Sequence, residues 1–122
     1  MTEATVGVGS EIRAQVPTIG RIVHYRLNDD DARAINRRRT DGGSIAQRMA
    51  TSPAEWPAGA QAHIGNGVKE GDTFPMMITR VWGSNPEAAV TGQVFLDGND
   101  VLWATSVCVG EGPRTFSWPG RL

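Results

Sequence analysis

Three consecutive arginines, Arg37, Arg38 and Arg39, are the densest chemical feature of the chain. A guanidinium presents its donors as a planar fork and grips two oxygens of a phosphate or carboxylate at once. Eleven of the twelve basic residues are arginines, Lys69 being the exception. A GC-rich genome produces the same bias, so position says more than number. Successive helical residues point about 100° apart, so the three arginines cannot share one ligand. Arg39 falls on an apolar stripe with Ala32 and Ile35, where an arginine either snorkels or pairs inside a groove. A solvated helix face beside Asp29, Asp30 and Asp31 is the plainer reading. The sharper one is an anion site where the helix meets a sheet. Arg80, alternating with Ile78 and Trp82, adds a second fork. Trp56, Trp82 and Trp103 offer flat surfaces, although core packing is the default for each. Stacking for a base and a fork for a phosphate together suit a nucleotide. The candidate ligand-binding set is Arg37, Arg38, Arg39, Arg80, Trp82, Trp103 and Trp56, with His63 and Asn66.

Catalytic chemistry finds less support. Cys108 lies between Val107 and Val109 and reads as a buried structural cysteine, pointing away from Trp103. His24 and His63 are the only histidines, and neither sits in a nucleophile or metal motif. His24 reads as a surface residue of a strand. There is no phosphate loop with a terminal Lys-Ser or Lys-Thr. Asp29, Asp30 and Asp31 fan out around a helix and suit its positive end rather than a metal ion. Asp97 and Asp100 are explained by a hairpin turn. No catalytic residue, metal ligand or cofactor is expected.

The 122 residues suit one domain, and a net charge of -1 disfavours a general polyanion binder. A basic helix face stays possible, because residues 21–48 carry seven arginines against four aspartates. No apolar run approaches the ~18 residues of a membrane span. The opening residues lack the pattern of a secretory signal. A single cysteine excludes an internal disulfide.

Residues 1–17 read as a mobile N-terminal arm, and 18–122 as a single β-rich domain with a helical insertion over 28–50. The string GRIVHYRL at 20–27 alternates as a strand, with Val23, Tyr25 and Leu27 on one face. Asn28 is a favoured N-cap before the three aspartates. Asp29 and Arg33 form an attractive pair four residues apart. The helix is expected to run through Arg39 and stop at residues 40–43 (TDGG). Ser44 opens a shorter second helix, and Trp56 is expected to cover the domain as a lid. Residues 61–64 read as a short strand. Residues 73–82 alternate, with Phe74, Met76, Ile78, Arg80 and Trp82 on one face, and Pro75 suggests an edge or a bulge. Strands at 90–96 and 101–109 flank Asp97-Gly98-Asn99-Asp100, where Asp-Gly supplies a hairpin turn. In the second arm Val101, Trp103, Thr105, Val107 and Val109 share a face. Phe116, Trp118 and Pro119 make a terminal strand or staple. The fold class is α+β: a small antiparallel β-barrel or strongly bent sheet of about six strands, with a helical insertion after the first.

GRIVHY (20–25), AINRRRT (34–40), AHIGN (62–66), RVWG (80–83), QVFLDGND (93–100), LWATS (102–106) and SWP (117–119) occur in this order. The ordered set resembles a widespread family of small proteins of tailed bacteriophages and prophages. It spans residues 17–119, and no single string in it is specific. The resemblance implies a viral protein in the host cell cytoplasm and carries over no activity. The expected function is a non-enzymatic accessory protein that counteracts host defence by binding and sequestering a small anionic, nucleotide-type ligand, as a homo-oligomer. The alternative is a virion structural protein, such as a capsid decoration subunit whose arm clamps a neighbour, or a binder of a host protein. Membrane association and nonspecific nucleic-acid binding are not expected.

Overall fold

A computed structural model describes residues 15–39 and 63–120. Among these residues, five strands close into a barrel and one helix follows the first strand. The expected second helix, the Trp56 lid, residues 1–14 of the arm and the start of the 61–64 strand lie outside the described residues.

Strand β1 (Ile22–Arg26) keeps the expected alternation. Val23, Tyr25 and Leu27 are fully buried, while Ile22 and His24 face outward. Helix α1 (Asp29–Arg37) begins at Asn28. The Asn28 side chain accepts from Asp31 N at 2.8 Å, and the Asp31 carboxylate accepts from Asn28 N at 3.2 Å. Two orphan donors of the first turn are thus satisfied reciprocally. Arg33 reaches Asp29 at 2.7 Å as its spacing implies, but both groups are exposed and the pair adds only a few tenths of a kcal/mol. The helix ends at Arg37, short of the expected stop. Arg38 N and Arg39 N donate to Ile35 O and Asn36 O, bonds of the tighter three-residue kind.

The remaining strands are β2 (Thr73–Val81), β3 (Val90–Phe95), β4 (Val101–Val109) and β5 (Thr115–Ser117). Neighbours are antiparallel except β4 and β5, which run parallel. Side chains fill the interior: Tyr25, Leu27, Ile35, Met76, Ile78, Val94, Val107 and Phe116 are fully buried or within 1% of it. A barrel this small has no lumen to spare.

The structure corrects five local expectations. The sixth strand is absent among the described residues. Residues 63–65 make only isolated bridges, His63 with Arg39 and Gly65 with Gly98, because they join the helix end to a hairpin rather than running beside a strand. Pro75 sits on no edge, since β2 lies between β1 and β3. Ile78 exchanges backbone bonds with the β1 side, so alternation turns the missing Pro75 donor toward β3. That strand ends one residue past the Met76–Val94 pair. Arg80 and Trp82 leave the face of Ile78. An extra residue, Thr79, bulges between the Ile78–Gly92 and Arg80–Thr91 pairs and reverses the alternation. Trp103 and Val107 lie on opposite faces. Two β4 residues, Thr105 and Ser106, sit where β3 has only Thr91, and Ser106 takes a positive φ of 54°. For the same reason Cys108 is exposed, not buried.

Tyr25 joins β1 to α1 by donating its hydroxyl to Asp31 Oδ2 at 2.5 Å. Burial first, then the hydrogen bond and charge of Asp31, hold its phenol well above the ordinary value of 10.0. A raised folded pKa stabilises the protein fully below pH ~10, and that contribution falls as pH rises beyond it. Tyr25 is the single tyrosine. Tyrosinate absorbance is therefore expected only when alkali unfolds the protein, in step with loss of circular dichroism. A smooth titration near pH 10 in the folded protein would contradict this.

Candidate functional site

The structure divides the sequence-derived site residues among three places. The first is the end of α1. Arg39 is a buried cation with 3% of its surface exposed. Its Nη1 donates to Asp100 Oδ1 at 2.8 Å, and its Nε donates to Asn66 O at 3.1 Å. Arg38 Nη2 lies 3.0 Å from Asp100 Oδ2, an ion pair off the line of a good hydrogen bond. Asn66 in turn donates from Nδ2 to Asp97 Oδ2 at 2.7 Å and from N to Asp97 O at 2.9 Å. His63 N donates to Arg38 O at 2.7 Å. Arg37, the last helical residue, is exposed.

Two glycines make room for this cluster. A Cβ on Gly98 would stand 2.8 Å from Ile64 O, 2.9 Å from Gly65 Cα and 3.1 Å from Arg39 Nη2. Gly98 does not take a positive φ. The glycine of the expected Asp-Gly turn is needed for this close approach rather than for the turn's dihedral angles.

Arg38 and Arg39 face Asp100, and Asn66 holds Asp97 beside them. Both guanidiniums share the one Asp100 carboxylate, and Asp97 is held by Asn66 rather than by either arginine. What keeps Arg39 from an anionic ligand is its burial. An open groove of about 490 Å³ runs past His63, Phe95, Asn99, Asp100 and Val101. The arrangement ties the helix end to the β3–β4 hairpin.

The second place is the other end of β2. The Thr79 bulge sends Arg80 and Trp82 outward and Val81 toward the core. The Arg80 guanidinium carbon lies 4.3 Å from the centre of the Trp82 ring. Trp82 Nε1 donates to Thr91 Oγ1 at 3.3 Å, and Thr79 Oγ1 donates to Thr91 O at 3.1 Å. Thr91, 7% exposed, therefore anchors both sides of the bulge. Trp82 is 55% exposed. Arg80 has no carboxylate partner among the described residues. Stacking uses the face of a guanidinium, so its N–H edge remains available. Arg80 lines an open groove of about 560 Å³ with Pro17, Thr18, Ile19, Thr79 and Ser84.

No family model, curated protein or solved structure matches the chain. Function therefore rests on the site's own geometry.

Trp103 occupies the third place. It stands on the outer wall, paired across strands with Gln93 and 67% exposed. It joins neither cluster. Trp56 lies outside the described residues. Asp100, Thr79 and Thr91 carry the two clusters and escaped the sequence reading. Arg39 on an apolar stripe, read as snorkelling or pairing inside a groove, was the one hint of a buried partner. Nothing in the alternation of residues 73–82 marks Thr79 as a bulge.

Proposed function

We propose that the protein is a non-enzymatic binder of a small anionic ligand with a flat ring, of the nucleotide type, held at Arg80 and Trp82. The observation that carries this reading is the stacked Arg80 guanidinium: its donor edge has no carboxylate partner among the described residues and its position is already set by Trp82. A fork held in place loses less freedom on binding than a free side chain. The exposed indole offers a stacking surface beside the groove, which Arg80 lines together with Thr18 and Ser84. Its volume falls within the ~300–1,000 Å³ of small-molecule sites. In the setting that the phage resemblance implies, sequestering such a ligand would blunt a host defence that signals through it.

Native mass spectrometry of the full chain tests for a retained ligand. Calorimetric titration with nucleoside mono-, di- and triphosphates, cyclic dinucleotides and pyrophosphate tests the chemistry. Arg80→Ala is expected to weaken nucleotide binding about 10–100-fold, the worth of a charge-assisted bidentate contact. Trp82→Ala should cost about tenfold or more for nucleotides and less for pyrophosphate, which has no ring to stack and loses only the positioning of Arg80. Absence of millimolar binding across the panel, or an unchanged Arg80→Ala variant, defeats the proposal.

A further inference from the structure

The outer wall of the barrel carries apolar side chains across four adjacent strands. Strand register places Ile22, Met77, Gln93 and Trp103 in one row, because each pairs with the next. Phe95 and Val101 pair beside that row, on the same face as Gln93 and Trp103. Trp103 is 67% exposed, and Phe95, Val101, Ile22 and Met77 are each about 40% exposed. Side chains of this size leave on the order of 500 Å² of apolar surface in water. A closed barrel needs none of these groups outside, since its core is already filled from the inner face.

We propose that this wall is a two-fold interface between two copies of the chain, with Gln93 beside the dyad. Three observations select a second copy. None of the six side chains is charged, so two identical walls meet without like-charge repulsion. The net charge of -1 adds little repulsion at long range. Within the row, between Met77 and Trp103, the Gln93 amide has no hydrogen-bond partner among the described residues. A primary amide is both donor and acceptor, so it pairs with its own image across a two-fold axis. The area also fits. A standard interface takes roughly 800 Å² from each partner, somewhat over half of it apolar. The wall supplies about that share.

The test uses the full chain without nucleotide, so its outcome is independent of the Arg80 site. Sedimentation equilibrium should return twice the 13.1 kDa chain mass. Trp103→Glu should return one chain mass with an unchanged circular dichroism spectrum. In a Cys108→Ser background, which removes the exposed native thiol, Gln93→Cys should oxidise to a disulfide-linked dimer, because residues near a dyad lie beside their own images. Met77→Glu repeats the first test should Trp103→Glu fail to fold. A monomeric wild type overturns the proposal, as does a larger assembly. So does a dimer that survives Trp103→Glu and Met77→Glu, or one that Gln93→Cys does not link.

Discussion

Asp100→Ala is expected to destabilise the protein by about 3–5 kcal/mol, the cost of leaving a buried ion pair with one partner. Only 2% of the Asp100 side chain and 4% of the Arg39 side chain reach solvent. Arg39 cannot swing out, because its guanidinium is packed against the backbone at Gly65 and Gly98. Its Nη2 is already buried without a hydrogen-bond partner, so losing Asp100 would leave Nη1 in the same condition. Arg38 is 31% exposed and can turn toward water, so most of the penalty belongs to Arg39. In a domain of this size the loss lowers Tm by roughly 10–20 °C. Pairing Asp100→Leu with Arg39→Met should recover much of it, since apolar replacement of both partners is often neutral. Thermal melts of the single and paired variants measure this. A single variant within about 1 kcal/mol of wild type would mean that the cluster is hydrated.

The second large effect is expected from Phe116→Ala. Phe116 is fully buried on a strand of three residues. β5 nevertheless closes the barrel, antiparallel to β1 and parallel to β4. So few ladder bonds cannot hold a strand in place alone, so the ring is the main anchor. Trp118 packs edge-on against it with centroids 6.0 Å apart, and Arg21 stacks over Trp118 at 4.7 Å. Truncation of a buried Phe typically costs about 3–5 kcal/mol. Here it also releases β5 and bares the edges of β1 and β4, which invites association between chains. Urea unfolding should show the lower midpoint, and light scattering the association. A loss below about 1 kcal/mol without association would show that β5 is not needed for closure.

Local rules predicted the elements that depend on near neighbours. Asn28 followed by three aspartates placed the start of α1, and the Asp29–Arg33 pair followed from spacing. Alternation named the buried face of β1. The hairpin between β3 and β4 was legible because a polar, glycine-containing segment separates two alternating runs. Phe116, Trp118 and Pro119 were legible as a terminal strand or staple. The candidate site was less legible. Sequence grouped nine residues into one ligand set, and the fold scatters them. Arg38, Arg39, His63 and Asn66 gather at one end of the β2–β3 pair, Arg80 and Trp82 at the other, and Trp103 on the wall.

By itself the sequence determined a small β-rich chain with a capped helix after its first strand, and an arginine on an apolar stripe that would either snorkel or pair inside a groove. Only the tertiary structure decided which partner. Arg39 meets Asp100, 61 residues away, because barrel closure brings the hairpin to the helix end. It also decided which faces the later strands bury. Alternation has a period of two, so one extra residue at Thr79 and another at Thr105–Ser106 turned the following side chains over. A bulge is stabilised by pairing with the neighbouring strand. The residues that carry it therefore show nothing unusual until that neighbour is in place.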